Sequence, residues 1–211
     1  MRPYRGIDAS ERLAHRRSRF IEAGLDLLST PPGEPTVRAI CAKAGVAVRY
    51  FYESFVDKDD FAVLVFDTVI SDLTATTQAA AATAPVRDGN RAGMANIVNT
   101  IASDARVGRL LFNAQLTNPV IADKRTAGAE LLTAIYFTDL STVLPFEANE
   151  RTKALSYFAV GGVGQTIDAW LNGRLQLTPD ELIDQLANVL DEFVEPRLHQ
   201  PRRTATEASG R

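Results

Sequence analysis

Residues 36–61 read TVRAICAKAGVAVRYFYESFVDKDDF, a spacing that predicts two short helices joined at a right-angled turn, a helix-turn-helix. Thr36 is the expected N-cap of the first helix, which carries Ile40, Cys41 and Ala44 on its inner side. Gly45 stands where the chain needs positive φ. A second short helix is expected from about Ala47 to Ser54, with Val48, Phe51, Tyr52 and Phe55 facing the first helix and the long segments around it. Its other face is left free to read a partner.

Upstream, Asp8 to Leu28 has a helical pattern with a run of arginines, closed by the breaker Pro31-Pro32-Gly33; Arg2 and Arg5 lie on an arm expected to be disordered. Downstream, Asp57, Asp59 and Asp60 place carboxylates in the first turn of a long helix running through Phe61, Leu64, Val65, Thr68 and Val69. The Ala/Thr-rich stretch Thr74–Ala84 has few anchoring side chains and reads as a fading helix and a loop. Beyond it only helical periods occur, with stops at Asn118-Pro119 and Pro145, and nothing alternates like a strand. Two last helices are expected at about 149–172 and 179–194. The first has small residues at Ala159, Gly161, Gly162 and Gly164; the second has an apolar stripe of Leu182, Ile183, Leu186, Val189, Leu190 and Phe193. Paired, they would form a four-helix interface across a two-fold axis, or else line the monomer core.

The expected class is therefore all-α, with residues 1–56 as arm and DNA-binding head, 57–195 as a helical body and 196–211 as a polar, disordered tail. The 211 residues, 45% hydrophobic, suffice for a sizeable core. One cysteine suits a reducing compartment, and neither a signal peptide nor a membrane span is visible, so a cytoplasmic protein is expected. The net charge of -3 is unevenly spread: residues 1–55 hold nine Lys/Arg against six acids, so the head is mildly basic and the body acidic.

The segment resembles the DNA-binding part of the TetR family of bacterial repressors. The resemblance rests on Ile40-Cys41, Ala44-Gly45-Val46, Tyr52, Phe55 and Lys58, with Phe20, Ala23, Leu27 and Leu28 matching the family's first helix. It covers roughly residues 10 to 65. It implies phosphate contacts at Thr36 and Lys58, with backbone N–H groups at the helix starts also favouring an anion, and a backbone contact from the Tyr52 hydroxyl. Ala47, Val48, Arg49 and Tyr50 would form the leading turn facing bases; Arg49 could pair with a guanine and Val48 meet a thymine methyl, while Arg38 is a second candidate for base or phosphate. Two departures stand out. Ala47 replaces the usual Ser or Thr cap, and Glu53 is a carboxylate near phosphates, which would accept from a cytosine amine or, the favoured reading, pair with Arg49 four residues earlier.

The resemblance further implies a homodimer held by the last two helices, a palindromic operator, and a small-molecule effector in the body. Candidate lining residues are Phe66, Met94, Ile97, Ile101, Phe112, Gln115, Leu116, Tyr136, Phe137 and Trp170; few polar anchors among them suggest an apolar or amphipathic ligand. For any one of them, plain core is the favoured reading. No cofactor is implied. An enzyme finds little support: the two histidines, His15 and His199, stand among arginines and in the tail, Cys41 fills a small buried slot, and Gly161-Gly162-Val163-Gly164 lacks the lysine and strand of a phosphate loop. A helical interaction module without DNA affinity is the remaining alternative.

Overall fold

A computed structural model describes residues 9–113, 115–145 and 147–200. These form α1 (Ala9–Leu28), α2 (Val37–Ala44), α3 (Val48–Tyr52), α4 (Lys58–Thr83), α5 (Gly89–Ser103), α6 (Ala105–Phe112), α7 (Pro119–Val143), α8 (Glu150–Leu171) and α9 (Pro179–Asp191), with short 3-10 turns at Val86–Asp88, Glu192–Val194 and Pro196–Leu198. No strand occurs among the described residues. Arg2 and Arg5 lie outside them. The chain divides into two compact units, Met1–Thr76 with Thr100–Arg125, and Thr77–Asn99 with Thr126–Arg211. The expected head of 1–56 falls within the first unit, which also takes in most of α4, all of α6 and the start of α7.

In the first unit, α1 packs on α2 and α6, and α2 on α3. The centre is aromatic: Phe20, Phe51, Phe55 and Phe61 meet with ring centroids 5.1 to 6.3 Å apart, mostly edge to face. Gly24 lets α1 approach α4, because a Cβ there would run into the Val65 side chain. The loop after α1 is pinned from the α6–α7 connection: Asn118 Nδ2 donates to Gly33 O at 2.9 Å, while its Oδ1 accepts from Ile121 N–H and caps α7. Arg125 closes the end of α6 by donating to the carbonyls of Leu110 and Arg109.

In the second unit, α8 and α9 both begin with capping boxes, Asn149 with Thr152 and Thr178 with Glu181. Leu182, Ile183, Leu186, Ala187 and Leu190 bury one face of α9. Asn90 Nδ2 donates to Asp191 at 2.8 Å and Arg91 pairs with Asp184 at 2.7 Å, tying α5 to α9.

Two expectations are corrected. The Thr74–Ala84 stretch is not a fading helix, since α4 continues to Thr83. Alanine costs no side-chain entropy in a helix, and Thr76 and Thr83 return their hydroxyls to carbonyls one turn back. The expected tail is ordered at its start. His199 is 1% exposed; its Nε2 donates to Phe193 O at 2.7 Å, which leaves Nδ1 to accept from the Thr152 hydroxyl at 3.0 Å. Asn149 Nδ2 donates to the His199 carbonyl at 3.3 Å. Residues 201–211 lie outside the described chain.

Candidate nucleic-acid interface

The turn between α2 and α3 is set by the residues at its corners. Thr36 Oγ1 accepts from Ala39 N–H at 3.2 Å, and Gly45 ends α2 at φ 62°, its N–H returning to Ala42 O and the Val46 N–H to Cys41 O. Arg19 of α1 donates to Gly45 O at 2.6 Å, holding the corner from outside. Ala47 starts α3 without a side-chain cap. So short a helix cannot persist on its own hydrogen bonds. Phe51, wholly buried in the aromatic centre, anchors it, with Phe55 just beyond.

Val48 (42% exposed) and Tyr52 (61% exposed) do not face inward, as their spacing suggested. Val48, Arg49 and Tyr52 instead form the open face of α3, with Tyr50 half-buried beside them. Thr36, Arg38, Ala47 and Lys58 are also exposed and in the same unit. The backbone amides at the start of α4 are partly taken: Asp57 Oδ1 accepts from the N–H groups of Asp59 and Asp60, both at 2.9 Å, and Asp60 Oδ2 from Val56 N–H. What α4 offers an anion is chiefly the Lys58 ammonium.

Glu53 does not form its expected ion pair with Arg49. It accepts from Arg16 Nη1 of α1 at 3.2 Å, and the Arg16 guanidinium lies 4.0 Å from the Tyr50 ring centroid. Arg49 turns to the same tyrosine, donating from Nη2 to its hydroxyl at 2.6 Å with Cζ 4.6 Å from the centroid. That hydrogen bond raises the Arg49 pKa further above its ordinary value. Behind this face, Arg106 of α6 reaches Glu22, Asp26 and Asp104 at 2.6 to 2.7 Å, and Lys43 of α2 meets Asp26 at 2.6 Å. Lys43, then Arg106, hold the Asp26 carboxyl below its ordinary value, and Arg106 does the same to Asp104. Sequence reasoning missed Arg16, Arg19 and Arg106, since the partners that tie them to other helices and turns lie 26 to 84 residues away.

The candidate effector residues divide between the units. In the first, Phe66, Ile101 and Leu116 are buried, Phe112 is half-buried and Gln115 exposed. In the second, Met94 is buried, while Ile97, Tyr136, Phe137 and Trp170 are half-buried. Trp170 Nε1 donates to Leu177 O at 2.8 Å, closing the turn after α8. Burial, reinforced by Asp191 and Asp139, raises the Tyr136 phenol above its ordinary value. A cleft between α1 and α2, of about 230 Å³, is lined by Arg19, Glu22, Asp26 and Lys43 with Ala23, Ala44 and Gly45, and by none of these ten residues. Among the described residues no group of His, Cys, Asp and Glu could hold a metal ion, and no helix is long and apolar enough to cross a membrane.

No family model and no curated protein matches this sequence. Solved structures do. The fatty acid degradation regulator FadR from Bacillus halodurans superposes with a TM-score of 0.68 at 15% identity, covering 83% of this chain and 97% of that one. FadR from Bacillus subtilis, solved in complex with stearoyl-CoA, gives 0.63 at 16% identity, covering 84% and 97%. A TetR-family transcriptional regulator from Streptomyces coelicolor gives 0.65 at 17% identity, covering 92% and 94%. With its all-helical architecture and its helix-turn-helix at residues 36–55, this chain has the fold of the TetR-family transcriptional regulators.

Proposed function

We propose that this protein is a sequence-specific DNA-binding transcriptional regulator, a homodimeric repressor released from a palindromic operator by a small, mainly apolar ligand. The observation that carries the reading is α3 itself: a five-residue helix whose one buried residue is Phe51, with Val48, Arg49 and Tyr52 exposed in the same unit as exposed Thr36, Arg38 and Lys58. A short helix with a cation and a tyrosine on its open face, flanked by phosphate-binding side chains, has the parts needed to enter a major groove and fix its register there. In this reading Ala47, Val48, Arg49 and Tyr50 face base edges, and Thr36, Arg38, Tyr52 and Lys58 hold the backbone.

Dimerisation is assigned to α8 and α9. Tyr157, Phe158, Gly161 and Gly162 of α8 and Val189 of α9 are exposed in the single chain, an apolar strip with room for close helix approach. The effector is assigned to the helical body, where the candidate lining residues form two separate sets, Phe66, Ile101, Phe112, Gln115 and Leu116 in the first unit and Met94, Ile97, Tyr136, Phe137 and Trp170 in the second. The stearoyl-CoA held by the Bacillus subtilis regulator makes long-chain acyl compounds the first class to test.

The deciding experiment is selection of bound duplexes from random and genomic DNA at stated salt, confirmed by gel shift. An inverted repeat with half-sites about one DNA turn, ~34 Å, apart supports the proposal. Absence of binding to any duplex at low salt, with ligand stripped from the protein, favours an interaction module instead.

A further inference from the structure

We propose that Arg16 is a positioning residue for DNA reading: acting from α1 through the Tyr50 ring, it fixes where the Arg49 guanidinium points. The inference rests on the DNA-binding reading above and adds to it a residue that lies outside the helix-turn-helix. Arg49 is the only cation in α3. On an open helix face so long a side chain would ordinarily sample many rotamers, and ordering it at the moment of binding would cost affinity and blur base preference. Here it is already ordered, its Nη2 donating to the Tyr50 hydroxyl at 2.6 Å and its guanidinium 4.6 Å from the ring centroid. One donor is spent on that bond, and the rest of the five-donor fork remains for the O6 and N7 acceptors of a guanine.

The tyrosine is held in turn. The Arg16 guanidinium lies 4.0 Å from its centroid and is itself fixed by the 3.2 Å bond to Glu53, three residues further along. Arg16 therefore grips the α3 segment at two side chains one turn apart, from a helix whose own place is set by the buried Phe20. Its side chain is 24% exposed, less than half as open as the Glu53 it pairs with, as suits a brace rather than a phosphate contact. Lysine could not replace it, since a compact ammonium cannot lie flat on the ring while forking to a carboxylate.

The test uses the full-length chain. In the DNA-free protein the Arg49 Hε resonance, displaced by the Tyr50 ring current, should move toward its unstructured position in Arg16→Gln and in Arg16→Lys; no movement overturns the inference, whatever the protein does with DNA. On the selected duplex and its single-base-pair variants, Arg16→Gln should lower discrimination about tenfold at the base pair that Arg49→Ala affects, leave the salt slope unchanged, and add nothing in the Arg49→Ala background. A salt slope reduced by about one makes Arg16 a phosphate contact, and a full further loss in the Arg49→Ala background makes it an independent reader; either overturns the inference. If the wild-type chain selects no duplex, the DNA reading fails by itself and the resonance still decides whether Arg16 holds Arg49. Arg16→Lys carries the same readouts if Arg16→Gln fails to fold.

Discussion

Arg106 of α6 and Asp26 of α1, 80 residues apart in sequence, meet at 2.6 Å, and the same guanidinium also binds Glu22 and Asp104. One side chain thus links α6 to α1, the helix that packs on the helix-turn-helix. Asp26 and Asp104 are both held below their ordinary values, so their contribution to stability is present above the unfolded-state pKa and is lost as pH falls through the lower folded value. Arg106→Gln should cost about 1–2 kcal/mol at pH 7, a range kept modest by partial exposure of the groups. The difference from wild type should shrink below about pH 4. Urea unfolding at both pH values checks it; a pH-independent difference would mean that Arg106 acts through packing alone.

Gly45→Ala should destabilise the head by about 1–2 kcal/mol, because φ is 62° and the new Cβ would run into the Arg19 guanidinium that donates to Gly45 O. Thermal denaturation measures the cost, and an unchanged melting temperature would show that the corner relaxes freely.

Phe158→Glu and Gly162→Leu should turn a dimer into a monomer without loss of helical circular dichroism. Phe158 is 66% exposed in the single chain and gives up one ring contact, with Phe193 at 5.9 Å, whereas a Cβ at Gly161 or Gly162 would meet nothing within 4 Å, so Gly162→Leu is the variant that leaves the chain's own packing alone. Sedimentation velocity decides; dimers that persist in both variants would place the interface elsewhere.

His199→Ala should lower stability by about 2 kcal/mol, since it strips partners from the Phe193 carbonyl and from the wholly buried Thr152 hydroxyl. Chemical denaturation of the variant beside a chain ending at Val194 should give similar losses. A neutral His199→Ala would mean that water restores both bonds.

Lys58→Ala should weaken DNA binding evenly across sequences and reduce the salt slope by about one unit, whereas Arg49→Ala should relax preference at one base position per half-site. Titrations at several salt concentrations separate the two, and an unaltered preferred sequence in Arg49→Ala would remove Arg49 from the base-reading set.

The head was legible because its corners use residues with a local physical reason. Thr36 caps the helix that follows it, and Gly45 takes a backbone angle that other residues resist. The apolar spacing of α9 pointed to its buried stripe of Leu182, Ile183, Leu186 and Leu190, but Val189, read with them, is exposed. What sequence could not show depended on distant partners. Glu53 had an arginine four residues before it, yet pairs with one 37 residues before it. His199, set among Pro196, Arg197 and Gln200, has no periodic pattern around it, and its burial comes from Thr152 on another helix. The Ala/Thr run misled for a different reason: few anchoring side chains say little about helix formation where alanine supplies the propensity.

Phe51 alone among the residues of α3 is closed to solvent, and the helix is seated by that ring and by partners on α1 rather than by a cap of its own. Folding and recognition are therefore spelled by different letters of the same short word. If α3 reads DNA as proposed, mutations at Val48 and Arg49 would alter what it reads without touching Phe51, so a lineage could exchange one target site for another by a few surface changes, each intermediate still a folded protein.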